Sequence, residues 1–279
     1  MPYPTLRQLL APLLRHLLAP LLLLAALFTL AGCGTPPSQY DETAGWSAQK
    51  IYAEAREEMR AASWDKAIKL LETLEAKYPF GRYAQQAQID IAYSYWRSND
   101  NASALAACDR FAKLYPNHAN LDYIIYLKGL INFNEDLGLM GKISRQDPTE
   151  RDNRGARESF DSFKTLLARY PQSKYAEDAG LRLRYLINAL AQYELHVARY
   201  YVRRGALLAA ANRAQFAIST YPNTPAQEEA LFIMVRAYDA MGLTDLRDDA
   251  KRILDKNFPN SQIVKNNGPV STDPWWKLW

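Results

Sequence analysis

The sequence predicts an all-α chain, a right-handed solenoid of five helix pairs, and three observations carry that prediction. Five aromatic-proline dipeptides punctuate the chain: Tyr78-Pro79, Tyr115-Pro116, Tyr170-Pro171, Tyr221-Pro222 and Phe258-Pro259. Each proline follows a stretch of helical periodicity, where its missing N–H and its clash with the preceding turn end a helix. Counting back from each proline, a small residue recurs at minus twelve, a bulkier one at minus eight and an apolar one at minus five. No strand-like alternation competes with these helices.

The repeated positions are Ala67, Leu71 and Leu74, then Ala104, Cys108 and Phe111. The third copy has Ser159, Phe163 and Leu166, and the fourth Ala210, Ala214 and Ala217. A small residue is required where two helices cross closely, and the bulkier ones fill the space between successive pairs. This is the pattern of the second helix in a tetratricopeptide unit. The first helices agree: Ile91, Ala92 and Tyr95 fall at the leucine, small and tyrosine positions of that unit, as do Met234, Val235 and Tyr238. Tyr95 is accordingly assigned to packing. The fifth copy keeps Leu254 and Phe258 but carries Arg247 and Lys251, a charged last helix suited to face water as a cap.

In chain order the pairs are 48–60 with 64–78, 82–97 with 101–115, 119–133 with 155–170, 174–203 with 205–221, and 225–242 with 246–258. The prolines are 37, 55, 51 and 37 residues apart, so the third copy holds 18 extra residues and the fourth 14. The 18 fall in 134–154, where Gly138, Gly141, Asp147 and Pro148 predict a long loop rather than a longer helix. The 14 fall in Tyr175 to Arg203, which contains Gly180 but no proline and reads as one extended helix. Fourteen residues are close to four turns, so the apolar face stays in phase. The extension is expected to protrude beyond the stack.

Ahead of the repeats lie Arg7, Arg15 and His16, an apolar run from Leu17 to Leu30, and Leu30-Ala31-Gly32-Cys33. That order is a bacterial lipoprotein signal over 1–32, too short in its apolar part to span a bilayer comfortably. Cys33 then becomes an S-diacylglycerol, N-palmitoyl cysteine at the new N-terminus, and acyl chains are the only membrane attachment. Gly34 follows the cysteine in place of the aspartate that retains such proteins in the inner membrane, which favours outer-membrane delivery. Residues 33–47, with Pro36, Pro37 and Ser38, are a flexible tether. Cys108 is left as the one free thiol, so no disulfide forms within the chain.

Removing 1–32 takes two arginines and no acid, and the net charge falls from +4 to +2. So small a balance argues against a nucleic-acid partner, which calls for a concentrated basic stripe. Enzyme chemistry is not visible either. His118 and His196 are 78 residues apart, no zinc spacing or phosphate-binding glycine loop occurs, and no cofactor is expected. The paired acids, such as Glu57-Glu58, Glu228-Glu229 and Asp248-Asp249, suit solvated helix faces. The segment 260–279 reads as a flexible, Trp-rich tail ending Asp273-Pro274-Trp275-Trp276-Lys277-Leu278-Trp279. Its tryptophans are candidates to dock on the chain's own surface, a partner or the membrane interface.

The ordered set resembles the BamD (ComL) family of outer-membrane assembly lipoproteins over the whole mature chain. Its carriers are the lipobox, the run Tyr78-Pro79-Phe80-Gly81-Arg82-Tyr83-Ala84, the stretch from Asp147 through Tyr175, and Tyr200-Tyr201-Val202-Arg203-Arg204-Gly205-Ala206. The resemblance implies a non-catalytic scaffold on the periplasmic side of the outer membrane. Its C-terminal units would hold the last periplasmic domain of the barrel-forming subunit BamA beside companion Bam lipoproteins, and its N-terminal units would receive unfolded β-barrel precursors. The family's BamA-contacting arginine falls on Arg204, with Arg203, Tyr200 and Tyr201 beside it. On the residues alone, the two arginines serve equally well as caps of their own helix. For precursor peptides the candidates are Tyr52, Arg82, Tyr83, Tyr93, Trp96 and Arg97, since a concave helical surface grips peptides through aromatic pockets. The aromatic-ended tail would compete with precursors for that groove. The rival reading is a pilotin-like lipoprotein escorting a secretin, for which evenly spaced units without loop or long helix are expected.

Overall fold

Every predicted pair is present, with ends that match to within one or two residues. The computed structural model describes residues 42–133 and 153–268. The leader, Cys33, most of the tether, nearly all of the 134–154 loop and the tryptophans of the tail lie outside the described residues. Residues 42–46 form a turn, closed by the Trp46 N–H on the Thr43 carbonyl at 3.1 Å, and belong to a unit separate from the chain that begins at Ser47.

The first two pairs are α1 (Ala48–Arg60) with α2 (Trp64–Lys77) and α3 (Arg82–Arg97) with α4 (Asn101–Leu114). The third is α5 (Leu121–Asn132) with α6 (Arg154–Arg169). The last two are α7 (Ala176–Arg203) with α8 (Leu207–Thr220) and α9 (Ala226–Ala240) with α10 (Thr244–Asn257), followed by one turn, α11 (Gln262–Lys265). Consecutive helices from α1 to α10 pack on one another, and α1 packs on α3, α7 on α9 and α9 on α11, which is the adjacency of a solenoid. Among the described residues there is no strand. The fold class is therefore the all-α helical-repeat solenoid that the proline spacing predicts.

Two backbone devices recur. The second helices end on the aromatic residue before each proline: Tyr78, Tyr115, Tyr170, Tyr221 and Phe258 have φ between −122° and −133° and ψ between 58° and 68°. Pro Cδ forbids the helical ψ to its predecessor, and the turn follows from that clash. The first helices α1, α3, α7 and α9 end in a Schellman motif, whereas α5 ends on Phe133 in an extended conformation. After α7 the Gly205 N–H bonds the Val202 carbonyl and the Ala206 N–H the Tyr201 carbonyl, both at 3.0 Å. Gly205 has φ +70° there, and Ala62, Asn99 and Gly242 hold the same left-handed position after α1, α3 and α9. Asn267 repeats it after α11, whose N-cap Ser261 accepts from the Val264 N–H at 3.1 Å. The segment 260–279, read from composition as flexible, thus opens with a capped turn shaped like the end of a first helix.

The minus-twelve, minus-eight and minus-five residues of the first four copies are all buried. Each buried Leu or Phe stabilises the stack by about 1.5–3 kcal/mol. α5 and α6 cross closely, since a Cβ on Gly129 would stand 2.4 Å from the Phe163 ring and the Ser159 hydroxyl donates to the Gly129 carbonyl at 2.8 Å. Cys108 is buried in the same manner, which pushes its thiol pKa up to about 12. In the fifth pair Arg247 pairs with Asp239 and Asp248 and Lys251 with Asp255, while Ala250 and Leu254 alone are buried on α10.

The long helix departs from expectation. Its added turns stay in the stack, because Ala179, Leu186 and Leu190 continue the apolar stripe of Ala191, Leu195 and Ala198. Tyr126 on α5 donates to Asp178 at 2.7 Å, and the Phe133 and Tyr185 rings meet at 5.8 Å. At 28 residues α7 is about 42 Å long and joins the third pair to the fourth. Glu194 interrupts its apolar stripe. Fully buried, it accepts from Arg157 on α6 at 2.7 Å and from Arg213 on α8 at 3.1 Å, tying three helices together.

Candidate functional site

The first helices of the three N-terminal pairs, α1, α3 and α5, line an open groove of about 830 Å³ together with the loop between α6 and α7. One acid anchors its floor. Asp90 is buried between Ile89 and Ile91, accepting from the Tyr52 hydroxyl at 2.8 Å and the Gln86 amide at 3.1 Å, with the Arg56 guanidinium 3.5 Å away. Burial raises the Asp90 pKa above the usual carboxylate value, against the pull of those three partners. Tyr52 is raised as well, by burial first and then by the Asp90 charge.

The sequence candidates for peptide contact fall into two aromatic-cationic clusters on α1–α3. In one, the Tyr52 and Tyr83 rings lie 5.6 Å apart and Arg82 stands 4.9 Å over Tyr83. In the other, Tyr93 meets Trp96 and Trp64, each at 5.9 Å, and Arg97 donates to the Tyr93 hydroxyl at 2.8 Å while covering Trp64 at 5.1 Å. Tyr93 lines the groove directly, and Tyr52 joins it through Asp90. Tyr95 on α3 donates to Glu72 on α2 at 2.8 Å, a bond between the second pair and the first.

Sequence reasoning missed Asp90, Arg56, Trp64, Tyr123 and Tyr175, all of which line the groove. A signal for Asp90 existed, an acid inside the apolar run Ile89-Asp90-Ile91 with Gln86 one helical turn earlier. Tyr175 had none. It reaches the groove because the turn after Pro171 stacks its ring on Tyr126 at 4.7 Å, a contact across 49 residues.

The second candidate surface is the C-terminal turn of α7. Tyr200, Arg203 and Arg204 are exposed, Tyr201 half-buried. Arg204 is the C-cap, its N–H on the Tyr200 and Tyr201 carbonyls, and its guanidinium lies 5.4 Å over the Tyr200 ring. Its side chain is therefore stacked rather than bonded to the helix end. The Schellman turn at Gly205 fixes where this cation points. Among the described residues no three His, Cys, Asp or Glu side chains gather closely enough to hold a metal ion, and no helix is long and apolar enough to cross a membrane.

Stacked helix pairs with an aromatic groove at one end and an exposed cationic turn toward the other define a helical-repeat solenoid protein. A family model described as YfiO, outer membrane lipoprotein, matches residues 45–253. Relatives named outer membrane protein assembly factor BamD include one from Neisseria meningitidis serogroup B, 44% identical over 91% of this chain and 95% of that one. One from Vibrio cholerae is 39% identical over 84% and 96%, and one from Haemophilus influenzae 31% over 88% and 94%. The chain belongs to this family of outer membrane lipoproteins. Among solved structures, the type IV pilus biogenesis factor PilW is similar over 79% of this chain and 97% of that one, at 18% identity with a TM-score of 0.35.

Proposed function

We propose that this chain is a lipid-anchored, non-catalytic scaffold of outer-membrane β-barrel assembly, facing the periplasm. Acyl chains on Cys33 attach it to the outer membrane, the groove of α1, α3 and α5 takes segments of unfolded barrel precursors, and the end of α7 holds BamA among companion Bam lipoproteins. The observation that carries the reading is the groove itself, an aromatic-lined trough across three consecutive helix pairs in a chain whose relatives are named assembly factors. Its acids are satisfied internally, Asp90 by Tyr52 and Gln86 and Asp122 by Ser173 at 2.6 Å, which leaves rings and cations to meet a guest.

Co-purification from detergent extracts tests the proposal. Recovery of BamA with its companion lipoproteins is the expected result, and recovery of a secretin in their place overturns it. Labelled palmitate should enter the wild-type chain and not Cys33→Ala, and the variant should leave the membrane fraction.

A further inference from the structure

We propose that a pocket beside the end of α7 anchors an apolar side chain of the partner, one that lies next to a carboxylate; this rests on the reading of Arg203 and Arg204 as partner contacts. The pocket, about 360 Å³, is lined by Tyr201, Ala209, Asn212, Arg213 and Phe216. That volume lies at the small end of ligand-sized cavities, roughly 300–1,000 Å³, and suits one side chain better than a bilayer surface. Phe216 is 39% exposed and Leu208, on the same helix, 58%; Tyr200 and Val202 are exposed on the neighbouring turn. Four large apolar groups uncovered around one helix junction mark an interaction patch.

Charge states what covers it. Arg157 and Arg213 are committed to Glu194, and Arg199 to Glu229 through two bonds of 2.5 and 2.7 Å. Arg203 and Arg204 have no acidic partner among the described residues. Arg204 rests on Tyr200, and the Tyr200 ring lies 5.7 Å from Tyr201, which forms the pocket wall. Arg204 is thus joined by a continuous pair of rings to a recess walled by Tyr201, Ala209 and Phe216, with Asn212 and the Glu194-paired Arg213 completing the wall, and Arg203 lies next to it in the chain. The complement is a protein segment that presents an aromatic or aliphatic side chain with an acid beside it, and such anchored side chains carry most of an interface's affinity.

The test uses the full-length chain in detergent, with the purified periplasmic region of BamA as probe. Ala209→Trp fills the pocket from its wall, and Asn212→Trp fills it from a solvent-exposed position that tolerates bulk should the first variant fail to fold. Each is expected to weaken the complex at least about tenfold, and Arg204→Ala is expected to do the same, with an unchanged thermal midpoint. If Arg204→Ala weakens binding while both tryptophan variants bind like wild type, the pocket proposal is overturned and the reading of the arginines stands. If none of the three changes affinity, both fall. Loss of self-association or of binding to phosphatidylglycerol vesicles in the tryptophan variants, with the BamA affinity intact, also overturns it, because a second copy or the membrane then covers the pocket.

Discussion

Gly129 has nowhere to put a methyl group. The Phe163 ring it faces is fully buried and the Ser159 hydroxyl holds its carbonyl, so neither neighbour yields cheaply. Gly129→Ala should lower stability by about 1–3 kcal/mol, the usual range for overpacking, and urea denaturation reads it directly. A wild-type midpoint would show that α5 and α6 separate at no cost. Asp90 sets a pH dependence of known sign. Burial holds its folded pKa above the unfolded value, so between the two the folded chain binds more protons and stability falls as pH rises through that window. Relative to Asp90→Asn, the wild type should therefore gain thermal stability as pH is lowered from about 7 toward the carboxylate range near 4. A difference that moves the other way refutes the assignment.

Helix ends decide how elements are aimed. The same left-handed closing residue follows α1, α3, α7 and α9, yet only two of these positions are glycine. Ala62, at φ +57°, carries the steric penalty of a Cβ in that region, about 1 kcal/mol or more. Ala62→Gly should raise stability by about 0.5–1 kcal/mol, since glycine's greater unfolded-state freedom offsets part of the gain. Calorimetry on the two proteins checks it, and a lower midpoint would mean the Ala62 methyl makes a contact worth more than its strain. The five aromatic-proline stops were legible because proline acts through bonded geometry. The first helices end within a residue or two of where the sequence places them, although the left-handed residues that close them, such as Asn99 and Gly242, entered only with the structure.

At the scale of the molecule, a solenoid must stop. Each pair buries its face on the next, and α10 meets the end of the stack with Arg247 and Lys251 where earlier copies place Ala, Ser, Leu, Cys or Phe. Replacing both by leucine should expose an apolar end surface and drive concentration-dependent association, read by sedimentation velocity. A variant that stays monomeric would show that the stack is closed without help from those charges. The long helix bears on the same question. Its added turns lie along the third pair rather than projecting from it, so one continuous helix links the third pair to the fourth and carries Arg204 at its end.

What the sequence determined by itself was everything local and periodic: the five pairs, their ends, the buried repeat positions, the charged last helix and the cysteine before which a lipoprotein leader is expected. These come from backbone sterics and helical spacing, which act within a few residues. The tertiary structure alone decided which side chains meet across long separations. Asp90 under Tyr52, Tyr175 on Tyr126, Glu194 between Arg157 and Arg213, and the recess formed by Tyr201 and Phe216 all join residues from different elements. A single sequence carries no register between helices, and only packing supplies it.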